Sequence, residues 1–385
     1  MIPLCVPHLA GNEWAYIKDC LDTNWVSATG QYVNRFEKAL AEYTGAAHAV
    51  AVSSGTTALH ISLIVSGIQP GDFVIVPNLT FVATANVVKY MGAHPLLCDI
   101  DPDTYLLDLD LLEEFLENET ELRDGTAIHR ATGRPVRALM PVHVLGNLFD
   151  MERMLALCER FHLILIEDTA EALGSFYKGQ HAGTFGRMGC LSFNGNKIIT
   201  TGGGGIILTN NEADARRAKH LTMQAKASTL EYLHDEVGYN YRLVNILAAM
   251  GVAQMELLPD FVRRKQEINR FYEQAFAGLE GLRFQRLNEG VSSNCWHVVV
   301  RTPRRDELVQ HLAQNGVESR PLWIPMNRLP AFTQDWYISR HDHTAAVAGE
   351  GIMLPCSTSI TDDELQTVCG LVRSFHQQSV PVPAS

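Results

Sequence analysis

A lysine set between apolar residues and a run of glycines can do chemistry that a surface lysine cannot. In SFNGNKIITTGGGG, Ser192 to Gly205, a strand-like stretch ends in a polar turn that includes Asn194 and Asn196. It presents Lys197 beside two isoleucines and runs into four consecutive glycines. Glycines permit close backbone approach. A lysine held in a dry, crowded place has a depressed pKa and can act as an amine nucleophile, which is what a Schiff-base lysine requires. Most lysines are simply solvated, so this segment needs company.

Three other segments supply it. In HLILIEDTAEALGS, Asp168 stands just beyond a continuous apolar run. Its carboxylate can bind a metal, cap the next helix or pair with a cation, and the cap is the plainest reading. Beside a pyridoxal ring, a buried Asp would keep the ring nitrogen protonated. In VSSGTTALH, backbone N–H groups at a helix start and the hydroxyls of Thr56 and Thr57 can cradle a phosphate. An ordinary helix cap reads the same way, and the Gly-Lys-Ser/Thr ending of a Walker loop is missing. In NLTFVATANV, Phe81 follows another strand-like run and is either core or a stacking face. Together the four supply a phosphate cradle, a stacking face, a pyridinium partner and a Schiff-base amine. That set points to pyridoxal 5'-phosphate.

The elements that must position these residues follow from the hydrophobic pattern. Short β-branched runs recur at 48–54, 72–78, 94–101, 137–146, 162–168, 189–194 and 204–210, with helical stretches such as 56–67 and 151–161 between them. Several runs are continuously apolar, as in strands buried on both faces. The expected fold is α/β: a mostly parallel mixed sheet flanked by helices, with ligands at the carboxyl ends of strands. We assign residues 1–255 to this large domain and 256–385 to a smaller C-terminal α+β domain whose first helix starts at 259. Residues 117–136 read as a polar surface excursion, the HDH run at 341–343 as a solvated loop, and the tail 377–385 as frayed.

Composition narrows the class. The 385 residues carry 31 Lys plus Arg against 43 Asp plus Glu, a formal charge of −12, which argues against nucleic acid as a partner. No stretch approaches the roughly 20 apolar residues of a membrane span, and the amino terminus lacks a secretory pattern. The eight cysteines are dispersed, with no pair spaced to bind zinc, so no metal site is expected; they read as reduced residues of a cytoplasmic protein.

The motifs SSGTTAL, TFVAT, EDTAEALGS, SFNGNKIITTGGGG and GYNYR, in that order, resemble the nucleotide-sugar aminotransferases of the DegT type, within the aspartate aminotransferase superfamily of PLP fold type I. The resemblance runs over nearly the whole chain. It implies that Lys197 forms the Schiff base and shuttles a proton, that Asp168 holds the pyridine nitrogen and that Glu171 meets the ring hydroxyl. Thr56, Thr57 and Ser192 would bind the phosphate and Phe81 would stack on the ring. Asn240 would reach the phosphate of a neighbouring subunit, since such enzymes are homodimers with shared sites. Trp25, Ser27, Asn194, Arg242, Arg320 and Trp323 are the sugar and diphosphate candidates, by aromatic packing and guanidinium–phosphate matching. Trp323 reads equally well as small-domain core. The implied reaction takes an amino group from glutamate to a nucleotide-linked 4-keto sugar. The branch most resembled acts on UDP-4-keto-6-deoxy-N-acetylhexosamines, whose products feed bacterial surface sugars. The alternatives are a PLP-dependent sugar dehydratase and a non-catalytic PLP-binding sensor; the intact Lys197 and Asp168 favour transamination.

Overall fold

The computed structural model describes residues 1–228 and 230–377, so most of the tail expected to fray lies outside the described residues. Seven of the ten strands of the central sheet carry its main path: β1 (His48–Val52), β2 (Phe73–Pro77), β3 (His94–Cys98), β4 (Pro135–Leu139), β5 (Ile164–Asp168), β6 (Met188–Ser192) and β7 (Gly205–Thr209). Their spatial order is β1-β7-β6-β5-β4-β2-β3. All neighbours from β6 to β3 run parallel, while β7 lies antiparallel between β1 and β6. Apolar runs such as Phe73–Pro77 are buried along their whole length, because helices cover both faces. The carboxyl ends of β1, β2, β5 and β6 therefore share one edge with the amino end of β7. Every motif singled out above emerges there.

Residues 117–136 differ from the expected excursion. Thr120–Arg123 and Thr126–His129 form an antiparallel hairpin that joins the edge of β4. Its Asp124 and Gly125 both have positive φ, as a tight two-residue turn requires.

The long helix also departs from expectation. It spans Asn245–Phe276 and continues through Pro259, where the helix was expected to begin. One missing N–H is tolerated because both halves bury an apolar face, the first against the helices Glu13–Asp22 and Gln31–Thr44. The 255/256 division therefore falls inside a helix. Moreover, Tyr337–Ile338 returns to pair in parallel with β3. The later residues otherwise build a four-stranded antiparallel sheet of Arg283–Phe284, Val298–Arg301, Gly351–Leu354 and Arg320–Pro321. Its own core includes Tyr272, Val300, Leu308, Ile352 and Val368. No helix among the described residues is long and apolar enough to cross a membrane.

Candidate active site

The strand ends enclose a cavity of about 520 Å³, within the range of small-molecule sites. One wall is the start of the helix Gly55–Val65. Ser54 caps it, accepting from Thr57 N at 3.1 Å, while Thr57 Oγ1 accepts from Ser54 N at 3.0 Å. Thr57 Oγ1 thus completes the cap, while Ser54, Gly55, Thr56 and Ser192 line the cavity. A helix start leaves its first N–H groups unpaired and carries partial positive charge. Gly55 is obligatory here: a Cβ would stand 2.8 Å from Ser192 Cβ, closing the cradle.

Opposite lies Asp168, 4% exposed, at the end of β5. Thr84 Oγ1 donates to its Oδ2 at 2.8 Å and Ala170 N to its Oδ1 at 3.1 Å. Burial lifts its carboxyl above the ordinary range, while those donors and Lys197 pull it back. Glu171 is equally buried and accepts from Leu145 N at 2.8 Å. Burial pushes its carboxyl up to about 7, with Lys197 opposing. Lys197 Nζ sits 3.9 Å from Glu171 Oε1 and 4.0 Å from the centroid of Trp296. Burial drives its ammonium below the usual lysine range, against Glu171 and Asp168.

Phe81, Asn194, Arg320 and Trp323 also line the cavity, so Trp323 belongs to its wall, although it also packs on the core. Phe81 is 55% exposed, which leaves its ring face free. Trp25, Ser27 and Asn240 lie outside the cavity of their own chain and are exposed. Arg242 also lies outside the cavity of its own chain. It is 7% exposed, donates to Ala51 O at 2.8 Å and pairs with Glu37 at 2.5 Å, tying the end of β1 to the helix Gln31–Thr44. Arg242→Ala leaves Glu37 only Lys219 Nζ, 3.9 Å away, and we expect a loss of about 2–4 kcal/mol in unfolding free energy. Denaturant unfolding checks it; an unchanged midpoint with a raised KM for the sugar would return Arg242 to the substrate.

Three lining groups were not singled out in the sequence. Ser54 was legible as the residue before a helix start, since Ser is a preferred cap. Thr84 and Trp296 gave no local signal, because their partners Asp168 and Lys197 are distant in the chain. Trp296 is fixed by donating Nε1 to Asn196 O at 2.7 Å.

The family model described as DegT/DnrJ/EryC1/StrS aminotransferase matches residues 7–373. The chain belongs to that family. It is 37% identical to the GDP-perosamine synthase of Escherichia coli O157:H7 over 97% of this chain and 98% of that one. It is 39% identical to the putative pyridoxal phosphate-dependent aminotransferase EpsN of Bacillus subtilis over 98% and 97%. A solved DegT DnrJ EryC1 StrS aminotransferase from Brucella abortus superposes with a TM-score of 0.88 at 28% identity, covering 95% of this chain and 96% of that one. This DegT-family protein is a PLP-dependent aminotransferase acting on nucleotide sugars.

The residues present fit pyridoxal 5'-phosphate. The Ser54–Thr56 cradle offers unpaired N–H groups to a phosphate, and Asp168 offers a carboxylate to a pyridinium. Glu171, its carboxyl pushed up to about 7, can hydrogen-bond the ring hydroxyl, and Lys197 offers the amine. When bound, the cofactor supplies an electron sink for charge that develops at the substrate carbon. Lys197 Nζ, whose charged form is penalised by burial, can take up and return a proton inside the cavity.

The Glu171 carboxyl makes this DegT-family fold pH-sensitive. Its folded pKa of about 7 lies above the ordinary value of 4.5, so the folded chain binds the extra proton across that window. Its contribution to stability falls as pH rises from 4.5 to 7 and remains a penalty above. Glu171→Gln removes that penalty. The apoprotein variant should exceed wild type above pH 7 by on the order of 1–3 kcal/mol and match it near pH 4. Thermal unfolding across that range is the check; a difference independent of pH would reject the assignment.

Proposed function

We propose that the chain carries an amino group from glutamate to C4 of a nucleotide diphosphate-linked keto sugar, in the supply of amino sugars for bacterial surface glycans. The observation that carries this reading is the convergence of Lys197, Asp168, Glu171 and the Ser54–Thr56 cradle on one cavity. Phe81, Arg320 and Trp323 line the cavity and offer a ring face, a guanidinium and an indole to the sugar and diphosphate. The name of the Escherichia coli relative favours guanosine diphosphate as the carrier. The wording of SFNGNKIITTGGGG and RPLW favours uridine diphosphate as the second reading.

Two copies share each site in this reading. Asn240, Trp25 and Ser27 stand outside their own cavity, and Leu230, Tyr232 and Val237, close in sequence to Asn240, are 95%, 90% and 80% exposed. A second chain would cover that apolar surface and bring Asn240 to its neighbour's phosphate cradle. The test is an assay of 2-oxoglutarate formation from glutamate with a panel of GDP-, UDP- and dTDP-linked 4-keto sugars, alongside light scattering. Turnover confined to GDP sugars supports the first reading, and turnover confined to UDP sugars the second. A monomer with full activity would exclude the shared site.

A further inference from the structure

Two thiols and two nitrogen bases that amino transfer leaves unused meet beside the cavity. Lys265, on the helix Asn245–Phe276, is 2% exposed. Its Nζ donates to Trp296 O at 2.8 Å, to Cys356 Sγ at 3.4 Å and to Cys5 Sγ at 4.0 Å. An ammonium taken so far out of water needs an opposite charge beside it. The groups that hold its charge are sulfurs, not carboxylates. Cys356 is the one equipped to supply that charge: His297 Nδ1 lies 3.2 Å from its Sγ and Lys265 Nζ 3.4 Å. Cys5, Lys265 and His297 beside it hold the Cys356 thiol well below its ordinary range against the effect of burial. Cys5 Sγ donates to Asn196 O at 3.8 Å, and its thiol is held above its ordinary range. The cluster thus sets a thiol that favours its thiolate form beside a second thiol and an ammonium.

The two sulfurs differ in access. Cys356 is fully buried, whereas Cys5 is half-buried and lines the cavity. The amino-terminal arm brings Cys5 there. Ile2 pairs in parallel with Val317, Cys356 N donates to Leu4 O at 2.9 Å and Val6 N to Ser357 Oγ at 2.9 Å. The Cys356 N to Leu4 O bond sets the backbone next to Cys5 against that of Cys356, and Lys265 Nζ touches both sulfurs, the adjacency a disulfide needs.

We propose that Cys5 and Cys356 form a dithiol–disulfide switch, in which a hydroperoxide entering the cavity ties the amino-terminal arm to the end of the strand Gly351–Leu354. In the first step Cys5 sulfur attacks a peroxide oxygen and the O–O bond breaks. The Cys5 proton passes to the Cys356 thiolate, hydroxide leaves and Cys5 becomes a sulfenic acid. In the second, Cys356 sulfur attacks Cys5 sulfur and the S–O bond breaks. The oxygen leaves as water with the Cys356 proton. The two cysteines lose two electrons and the peroxide gains two; a thiol reductant reverses the change by exchange. Oxidation removes the counter-charge of Lys265. The uncompensated ammonium then faces a cluster whose field reaches Lys197, so the redox state of the pair bears on the charge of the cavity wall.

The remaining six thiols lack this setting. Cys295 donates only to a carbonyl, Ser293 O at 3.8 Å, and the other five are buried. The experiment treats the holoenzyme with equimolar hydrogen peroxide and maps peptides without reduction by mass spectrometry. The expected product joins the peptides holding Cys5 and Cys356, two hydrogens lighter than their sum, and separates with dithiothreitol. Lys265→Met, with its fold checked by circular dichroism, should form the link at least tenfold more slowly. Should that variant not fold, Cys5→Ser carries the test, and its Cys356 should stay reduced. Oxidation of other cysteines while this pair stays free would overturn the proposal. So would Cys356 of Cys5→Ser oxidising at the wild-type rate, or linkage in Lys265→Met undiminished.

Discussion

Lys197→Ala should lower kcat by about 10⁴-fold or more, equivalent to at least 5 kcal/mol of barrier, and remove the visible absorbance of the loaded enzyme. The expectation rests on position. Lys197 Nζ is the amine that stands among Asp168, Glu171 and the phosphate cradle, with Trp296 beneath it. Lys265, a buried lysine nearby, cannot replace it, because its nitrogen is held by Trp296 O and the two sulfurs. Alanine also removes a group whose charged form is costly, so the fold should survive; unchanged far-ultraviolet dichroism establishes that. Small alkyl amines, which fit the space vacated by the side chain, should restore part of the proton transfer. Full turnover by the variant would end the assignment of Lys197.

How much of this arrangement can be read from the chain depends on how far apart the partners lie. The seven strands are legible because each is an apolar run short enough to be a strand and punctuated by turn residues. Lys197 and Asp168 are legible because they follow such runs directly. The side-chain direction of Arg242 is not. GYNYR looks the same whether the guanidinium faces a diphosphate or Glu37, and that choice is made by a helix some two hundred residues upstream. The capping bond of Thr57 has a local reason: within Ser-Gly-Thr-Thr the first residue is the cap, and the cap engages the hydroxyl three positions on. The hairpin at 120–129 was missed because its strands are polar, although the Asp124-Gly125 pair is the strongest short turn signal. Pro259 misled as a helix start because proline suits a first turn. In this helix the packing of Ala248, Ala249 and Val252 on one side and Phe261 and Ile268 on the other outweighs the lost hydrogen bond.

The second large effect belongs to Asp168. Asp168→Asn should lower kcat by roughly 10³-fold, about 4 kcal/mol, while leaving the apoprotein as stable as wild type or more so. The two halves of this expectation have one cause. A carboxylate that is 4% exposed loses hydration, and burial lifts its pKa; Thr84, Ala170 N–H and the fields of Lys197 and His143 offset part of the cost. An amide of the same shape escapes that penalty and can still accept from one donor. What it cannot do is hold a positive charge on a ring nitrogen, since it carries no negative charge of its own. Activity and stability should therefore move in opposite directions, which a merely structural aspartate would not produce: there both would fall together. Unfolding of the apoprotein, paired with single-turnover amino transfer from glutamate, measures the two halves separately. A variant that loses stability and activity in proportion would make Asp168 a cap for the turn at Ala170, as its position after β5 first suggested, and nothing more.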